Sequence, residues 1–64
     1  MDIKTACDYV SKLANRHDTG ILEVLIDYKN GIDESGFNHD LTIDENLACR
    51  VFMAAGYEMF AEVV

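Results

Sequence analysis

A small, mainly α domain of three helices is what this sequence predicts, and three observations predict it. Apolar residues recur at helical spacing in three separate stretches. Only one of these could equally be read as a strand, and nothing follows that would pair with it. The last stretch, Thr42 to Val64, holds the longest helical pattern and most of the large apolar side chains, so it is expected to be a long apolar C-terminal helix around which the rest packs. An α+β chain with residues 21–29 as a strand is the alternative.

The first helix is expected from Asp2 to about His17. Ile3, Ala6, Cys7, Val10, Leu13 and Ala14 follow the i, i+3, i+4, i+7 rule, while Lys4, Asp8, Ser11, Lys12 and Asn15 fill the opposite face. Asp2 at the start and Arg16 near the end complement the helix dipole. His17 to Gly20 reads as a tight connection in which Asp18 or Thr19 caps the next element.

Residues 19–30 carry two patterns. As a helix they place Ile21, Val24, Leu25 and Tyr28 on one face and Glu23, Asp27 and Asn30 on the other, with Gly31 as the stop. As a strand, Leu22, Val24, Ile26 and Tyr28 alternate against Glu23 and Asp27, and Asn30-Gly31 forms a hairpin turn. The helix is preferred because an isolated hairpin is only marginally stable. Residues 31–41 have two glycines and no period, so they form a loop anchored by Ile32, Phe37 and Leu41, with Asp33, Glu34 and His39 in solvent.

Thr42 and Glu45 make a capping box at the start of the third helix. At about 100° per residue, Ala48, Cys49, Phe52, Met53, Ala55, Gly56, Met59, Phe60 and Val63 share one broad face. Asn46, Leu47, Arg50, Val51, Ala54, Glu58, Ala61 and Glu62 lie round the back. The two aliphatics Leu47 and Val51, one turn apart with Tyr57, Arg50 and Glu58 beside them, have the chemistry of an interface: apolar side chains, tyrosine and arginine ringed by charge.

With 64 residues the chain has room for one domain. A chain of about 60 residues buries only roughly 60% of its unfolded surface, and a core of this size supplies no more than about 3–5 kcal/mol. A partner chain is therefore in view from length alone. The net charge of −7 repels phosphate backbones and anionic bilayers, which argues against direct nucleic-acid or membrane binding and for a larger protein with a basic surface. The charge is lopsided, +1 over residues 1–17 and −8 over 18–64. Neither a basic, apolar leader nor an uninterrupted membrane-length run is expected, because Arg50, Glu58 and Glu62 break the last helix. Two cysteines far apart, Cys7 and Cys49, are expected reduced in the cytoplasm.

No constellation favours catalysis, a cofactor or a metal. Asp33, Ser35 and Gly36 share the spacing of part of a calcium loop, but Gly36 as its sixth residue leaves Gly31 and Thr42 where the leading Asp and closing Glu belong. Cys7, His17, His39 and Cys49 lack the short spacings of a zinc site, and a reactive thiol would need a base and a cleft. Phe52, Met53, Met59 and Phe60 read as core rather than as a ligand pocket.

The expected function is a non-enzymatic inhibitor or adaptor that occludes a surface of a larger protein. Expected contact residues are Leu47, Arg50, Val51, Tyr57 and Glu58 on the last helix, with Glu23, Asp27, Asp33 and Glu34 contributing negative charge. By association alone, short acidic products of this kind fit phage or mobile-element factors that disable host machinery, including anti-CRISPR and anti-restriction proteins acting in the host cytoplasm. One alternative is an acidic nucleic-acid mimic that fills the basic groove of a DNA- or RNA-binding protein. The other is a structural or regulatory subunit acting as a helical homodimer.

Overall fold

The computed structural model describes residues 1–55, and within them the chain is mainly α. The elements are α1 (Ile3–His17), α2 (Ile21–Asn30) and α3 (Ile43–Ala55). The continuation of the last helix towards Val64 lies outside the described residues. Among those residues there is no strand; the nearest approach to a sheet is an isolated antiparallel bridge between Ile32 and Asn38 in the loop before α3.

The strand alternative for residues 21–29 is therefore overturned. Alternation would put Leu22 and Ile26 on the buried side with Val24 and Tyr28, yet Leu22 is 50% and Ile26 47% exposed, whereas Val24, Leu25 and Tyr28 are buried. The i, i+3, i+4 set wins because it gives α2 one apolar face to lay on the other helices, whereas a lone strand would leave its backbone groups unpaired.

In α1, Asp2 is the N-cap and accepts from the Thr5 backbone N–H at 2.8 Å. That helix buries Ala6, Cys7, Val10, Leu13 and Ala14, as its spacing predicts. Its end differs from expectation. Asp18 adopts the left-handed conformation (φ 54°), the Thr19 N–H donates to the Ala14 carbonyl at 2.9 Å, and the Asp18 N–H to that of Asn15 at 3.3 Å. This is a Schellman closure in which Asp takes the place more often held by Gly, one of the few other residues that tolerate αL. Asp18 and Thr19 thus terminate α1 instead of capping α2, whose N-cap is Gly20 without a side-chain bond.

The core is one cluster. α1 and α3 form its principal seam through Ala6, Cys7, Val10 and Leu13 against Ala48, Cys49 and Phe52, and α2 closes it with Val24, Leu25 and Tyr28. Small side chains predominate along the seam, which lets the two helix backbones approach closely. α3 departs from its predicted faces at three places: Met53 and Ala55 are exposed, and Asn46, assigned to the back, is only 2% exposed.

Asn46 is buried because it carries the loop. Its side-chain oxygen accepts the Asn38 N–H at 2.9 Å, and its Nδ2 lies 2.9 Å from the Asn38 carbonyl, 2.9 Å from that of Thr42 and 3.3 Å from that of Leu41. Asn38 is buried too, donating from Nδ2 to the Tyr28 carbonyl at 3.2 Å and accepting the Asp40 N–H at 2.9 Å. The two amides satisfy backbone groups of the loop that no helix or sheet could reach. Gly31, at the end of α2, makes room for this: a Cβ there would sit 2.4 Å from Asn38 Nδ2.

The capping box at the start of α3 forms as expected. Glu45 Oε1 accepts the Thr42 N–H at 2.9 Å and Thr42 Oγ1 accepts the Glu45 N–H at 3.1 Å. Glu45 also accepts from Arg16 Nη2 at 2.8 Å, tying the first turn of α3 to the last turn of α1. Burial by itself would raise the pKa of Glu45; the hydrogen bonds from Thr42 and Arg16 outweigh it and hold the carboxyl below its usual value.

Two outcomes follow from these contacts. Asn46→Ala strands the buried N–H and carbonyl of Asn38 and should cost about 2–4 kcal/mol, most of the stability of so small a domain, seen as a collapse of the urea midpoint. Because the folded pKa of Glu45 lies below its unfolded value of 4.5, its stabilisation is present above that pH and is lost as the pH falls through the folded pKa. Glu45→Gln keeps the cap while removing the charge, so urea melts of this variant between pH 5 and 3, roughly the carboxylate range, should vary less with pH than those of the parent chain.

Candidate partner-binding surface

On α3 the side turned away from the core carries two large aliphatic side chains. At about 100° per residue, Ile43, Leu47, Arg50 and Ala54 lie opposite the buried set of Glu45, Ala48, Cys49 and Phe52. Leu47 is 41% exposed, and Ile43, one turn before it, is 74% exposed. Ile43 was not among the expected contact residues, although it stands four residues before Leu47 in the same row.

The rest of the predicted α3 stripe divides. Val51 sits on the shoulder, half-buried and packed against the core cluster, so it supports the exposed row more than it presents itself. Arg50 is not a free guanidinium; its Nη2 donates to the Gly36 carbonyl at 2.7 Å and straps the loop to α3. Tyr57 and Glu58 lie outside the described residues.

The predicted acidic contacts are all exposed but on different elements, Glu23 and Asp27 on α2 and Asp33 and Glu34 in the loop. Asp33 has a structural task. Its Oδ1 accepts the Ser35 N–H at 2.8 Å, the Ser35 hydroxyl and the Phe37 N–H at 3.4 Å, and its Oδ2 pairs with the His39 ring. The Ser35 hydroxyl contributes most to lowering its pKa, to about 2. The oxygens that the calcium-loop spacing would need are therefore engaged within the turn, and no group of three or more potential metal ligands occurs among the described residues. Of the three expected loop anchors, Ile32 and Leu41 pack on the core, while Phe37 is half-buried with its ring 5.6 Å from that of His39.

Cys7 and Cys49 are buried free thiols. Burial raises both pKa values, that of Cys49 to about 11, which disfavours the thiolate that a nucleophile or a metal ligand must supply. His17 and His39 are exposed.

Two surface features escaped the sequence reading. Leu22 and Ile26, one turn apart on α2, form a second exposed apolar row, flanked by Glu23. Leu22 and Ile26 sit where the strand pattern competed with the helical one, which obscured them. The other feature is a cleft of about 500 Å³ between the end of α1, α2 and the loop. Its floor includes the buried Leu13, Val24 and Tyr28, and the exposed Asp27 and Asp40 stand on its walls. No helix among the described residues is long and apolar enough to cross a membrane.

Asp33→Asn removes the charged acceptor that holds the 33–39 turn. Because the folded pKa of Asp33 is about 2 against 3.8 unfolded, the contribution of this turn is complete above the unfolded value and disappears as the pH falls towards 2. Amide exchange of Ser35 and Phe37 should accelerate in Asp33→Asn at neutral pH while the Ala48 and Cys49 amides in α3 stay protected. Equal acceleration throughout would show the turn to be part of the core.

Comparison with protein-family models, with curated proteins and with solved structures found no match to this chain.

Proposed function

We propose that this protein is a non-enzymatic binding module that acts by covering a surface of a larger protein, with the Ile43–Leu47 face of α3 as its apolar contact. The observation that carries this reading is the exposure of two large aliphatic side chains on the side of α3 opposite the core, 74% for Ile43 and 41% for Leu47. Apolar area of this kind is stabilised when a partner removes it from water. Asp44, between them in sequence, and the net charge of −7 direct the module towards a basic partner and speed the encounter. An inhibitor of the phage or mobile-element anti-defence type, anti-CRISPR or anti-restriction, working in the cytoplasm, is the biological setting that suits this mode of action.

Two features weigh against phosphate mimicry. Of the acids that a mimic would need, which are Glu23, Asp27, Asp33, Glu34, Asp44, Glu45, Glu58 and Glu62, Asp33 is engaged in its turn and Glu45 in its cap and the Arg16 pair. A mimic also gains nothing from exposed Ile43 and Leu47. A helical homodimer through the same α3 row is the competing use of this face.

Leu47→Asp is the decisive variant, because Leu47 is exposed and Val51 is packed on the core. Its far-UV circular dichroism should match that of the parent chain, and capture of the target from host extract should fall by about 100-fold, as for the loss of a hot-spot side chain. Capture should survive a rise from 0.01 to 0.15 M salt, over which screening shortens from about 30 Å to about 8 Å, since apolar burial is unscreened. Capture lost to salt and intact in Leu47→Asp would establish the mimic, and light scattering that gives a dimer dissociated by Leu47→Asp would establish the homodimer.

A further inference from the structure

α2 and the cleft beside it carry a second surface with a chemistry of its own. Leu22 and Ile26 form one exposed row along α2, half in solvent. Glu23 borders that row, and Asp27, about 100° further round than Ile26, stands between it and the cleft. Among the described residues, Asp27 and Asp40 are the carboxylates of the cleft, its apolar lining includes Leu13, Val24 and Leu41, and no Lys or Arg lines it. His17 is a further titratable side chain on its wall. Thr19, also on the wall, has a buried hydroxyl without a hydrogen-bond partner among the described residues.

A groove lined by Leu13, Val24, Tyr28 and Leu41 together with two carboxylates matches one kind of side chain: a long apolar stem ending in a cation. Lysine and arginine bury such stems while keeping the charged head among anions or water. An aliphatic row alongside matches the apolar positions of a helix. The geometry points to α2 and its cleft as the docking site for a basic amphipathic segment of a partner protein, whose apolar side chains lie on Leu22 and Ile26 and whose Lys or Arg enters the cleft between Asp27 and Asp40. This rests on the reading of the chain as a protein-binding module and adds a surface distinct from the Ile43–Leu47 face. Charge selects this occupant over a second copy of the chain: a copy would bring Glu23 and Asp27 against a single cation of the same row, Lys29, so acids outnumber bases at the contact and like charges there oppose association.

Two synthetic helical peptides of about 14 residues, long enough to hold helix on a surface, provide the probes. Both carry Leu at helical i, i+3, i+4 spacing; the other positions are Lys in one and Glu in the other. Fluorescence anisotropy at about 0.15 M salt, where long-range attraction is screened, should show binding of the Lys peptide and none of the Glu peptide. Leu22→Ser with Ile26→Ser, and separately Asp27→Asn with Asp40→Asn, should each weaken the Lys peptide by about tenfold or more. Glu34→Gln with Asp44→Asn, the same loss of charge elsewhere, should leave it within about twofold.

All six positions are exposed, so circular dichroism should be unchanged; if the Asp27→Asn, Asp40→Asn pair unfolds, Asp40→Asn alone gives the reading. Failure of the Lys peptide to bind, equal binding of both peptides, or equal weakening by the control pair overturns the site. So does a dimer of the chain that Leu22→Ser with Ile26→Ser dissolves. Each of those results leaves the Leu47→Asp capture experiment untouched, so failure of this site and failure of the module reading are told apart.

Discussion

Two neighbouring polar residues at the start of α3 hold the described structure together. Glu45 closes the capping box and reaches Arg16 on α1; Asn46 takes the loop backbone into the core. Both are buried, and both are fully engaged. The apolar cluster supplies most of the driving force, but hydrophobic contact has no direction. What sets the placement of a twelve-residue connection and the height of α3 against α1 is this pair, since a buried amide or carboxylate tolerates only the arrangement that satisfies it. A small core with a specific polar clasp is a sound solution for a chain too short to rely on area alone.

The helices and most of the core were readable from the chain because both depend on local spacing. Ala6, Val10 and Leu13 in α1, Val24, Leu25 and Tyr28 in α2, and Ala48, Cys49 and Phe52 in α3 are buried where the period places them. The Thr42–Glu45 cap was readable for the same reason: its partners are three residues apart. What stayed hidden depends on residues distant in sequence or on the competition of neighbouring groups for one role. Nothing local distinguishes Asn46 from a surface amide, because its main partner is Asn38, eight residues away. Asp18 had a good N-cap identity but was taken first by the closure of α1. Asp33 looked like free surface charge, whereas a carboxylate in a turn finds nearby N–H groups before it finds a partner protein.

The candidate surface divides along the same line. Leu47 was identifiable because α3 is apolar on more sides than the other two helices can cover. Ile43 and the Leu22–Ile26 row could be placed only once the direction of the core was known. Arg50 shows the limit of composition as a guide, since an arginine next to aliphatic side chains suggests an interface, yet its guanidinium spans back to Gly36.

Among the described residues the most extensive seam joins the first and third helices, and the Arg16–Glu45 contact that fastens it closes 29 residues of chain. The Schellman turn at Asp18, by contrast, brings α1 and α2 together almost without loop. The two seams therefore close loops of unequal length. The α1–α2 contacts need only a short turn, whereas those of α1 with α3 require a long excursion of chain to return, which costs more loop-closure entropy. A nascent or transiently opened chain would then expose the apolar seam of α1 and α2 for as long as α3 is away, which gives this longer closure a bearing on the lifetime of aggregation-prone forms.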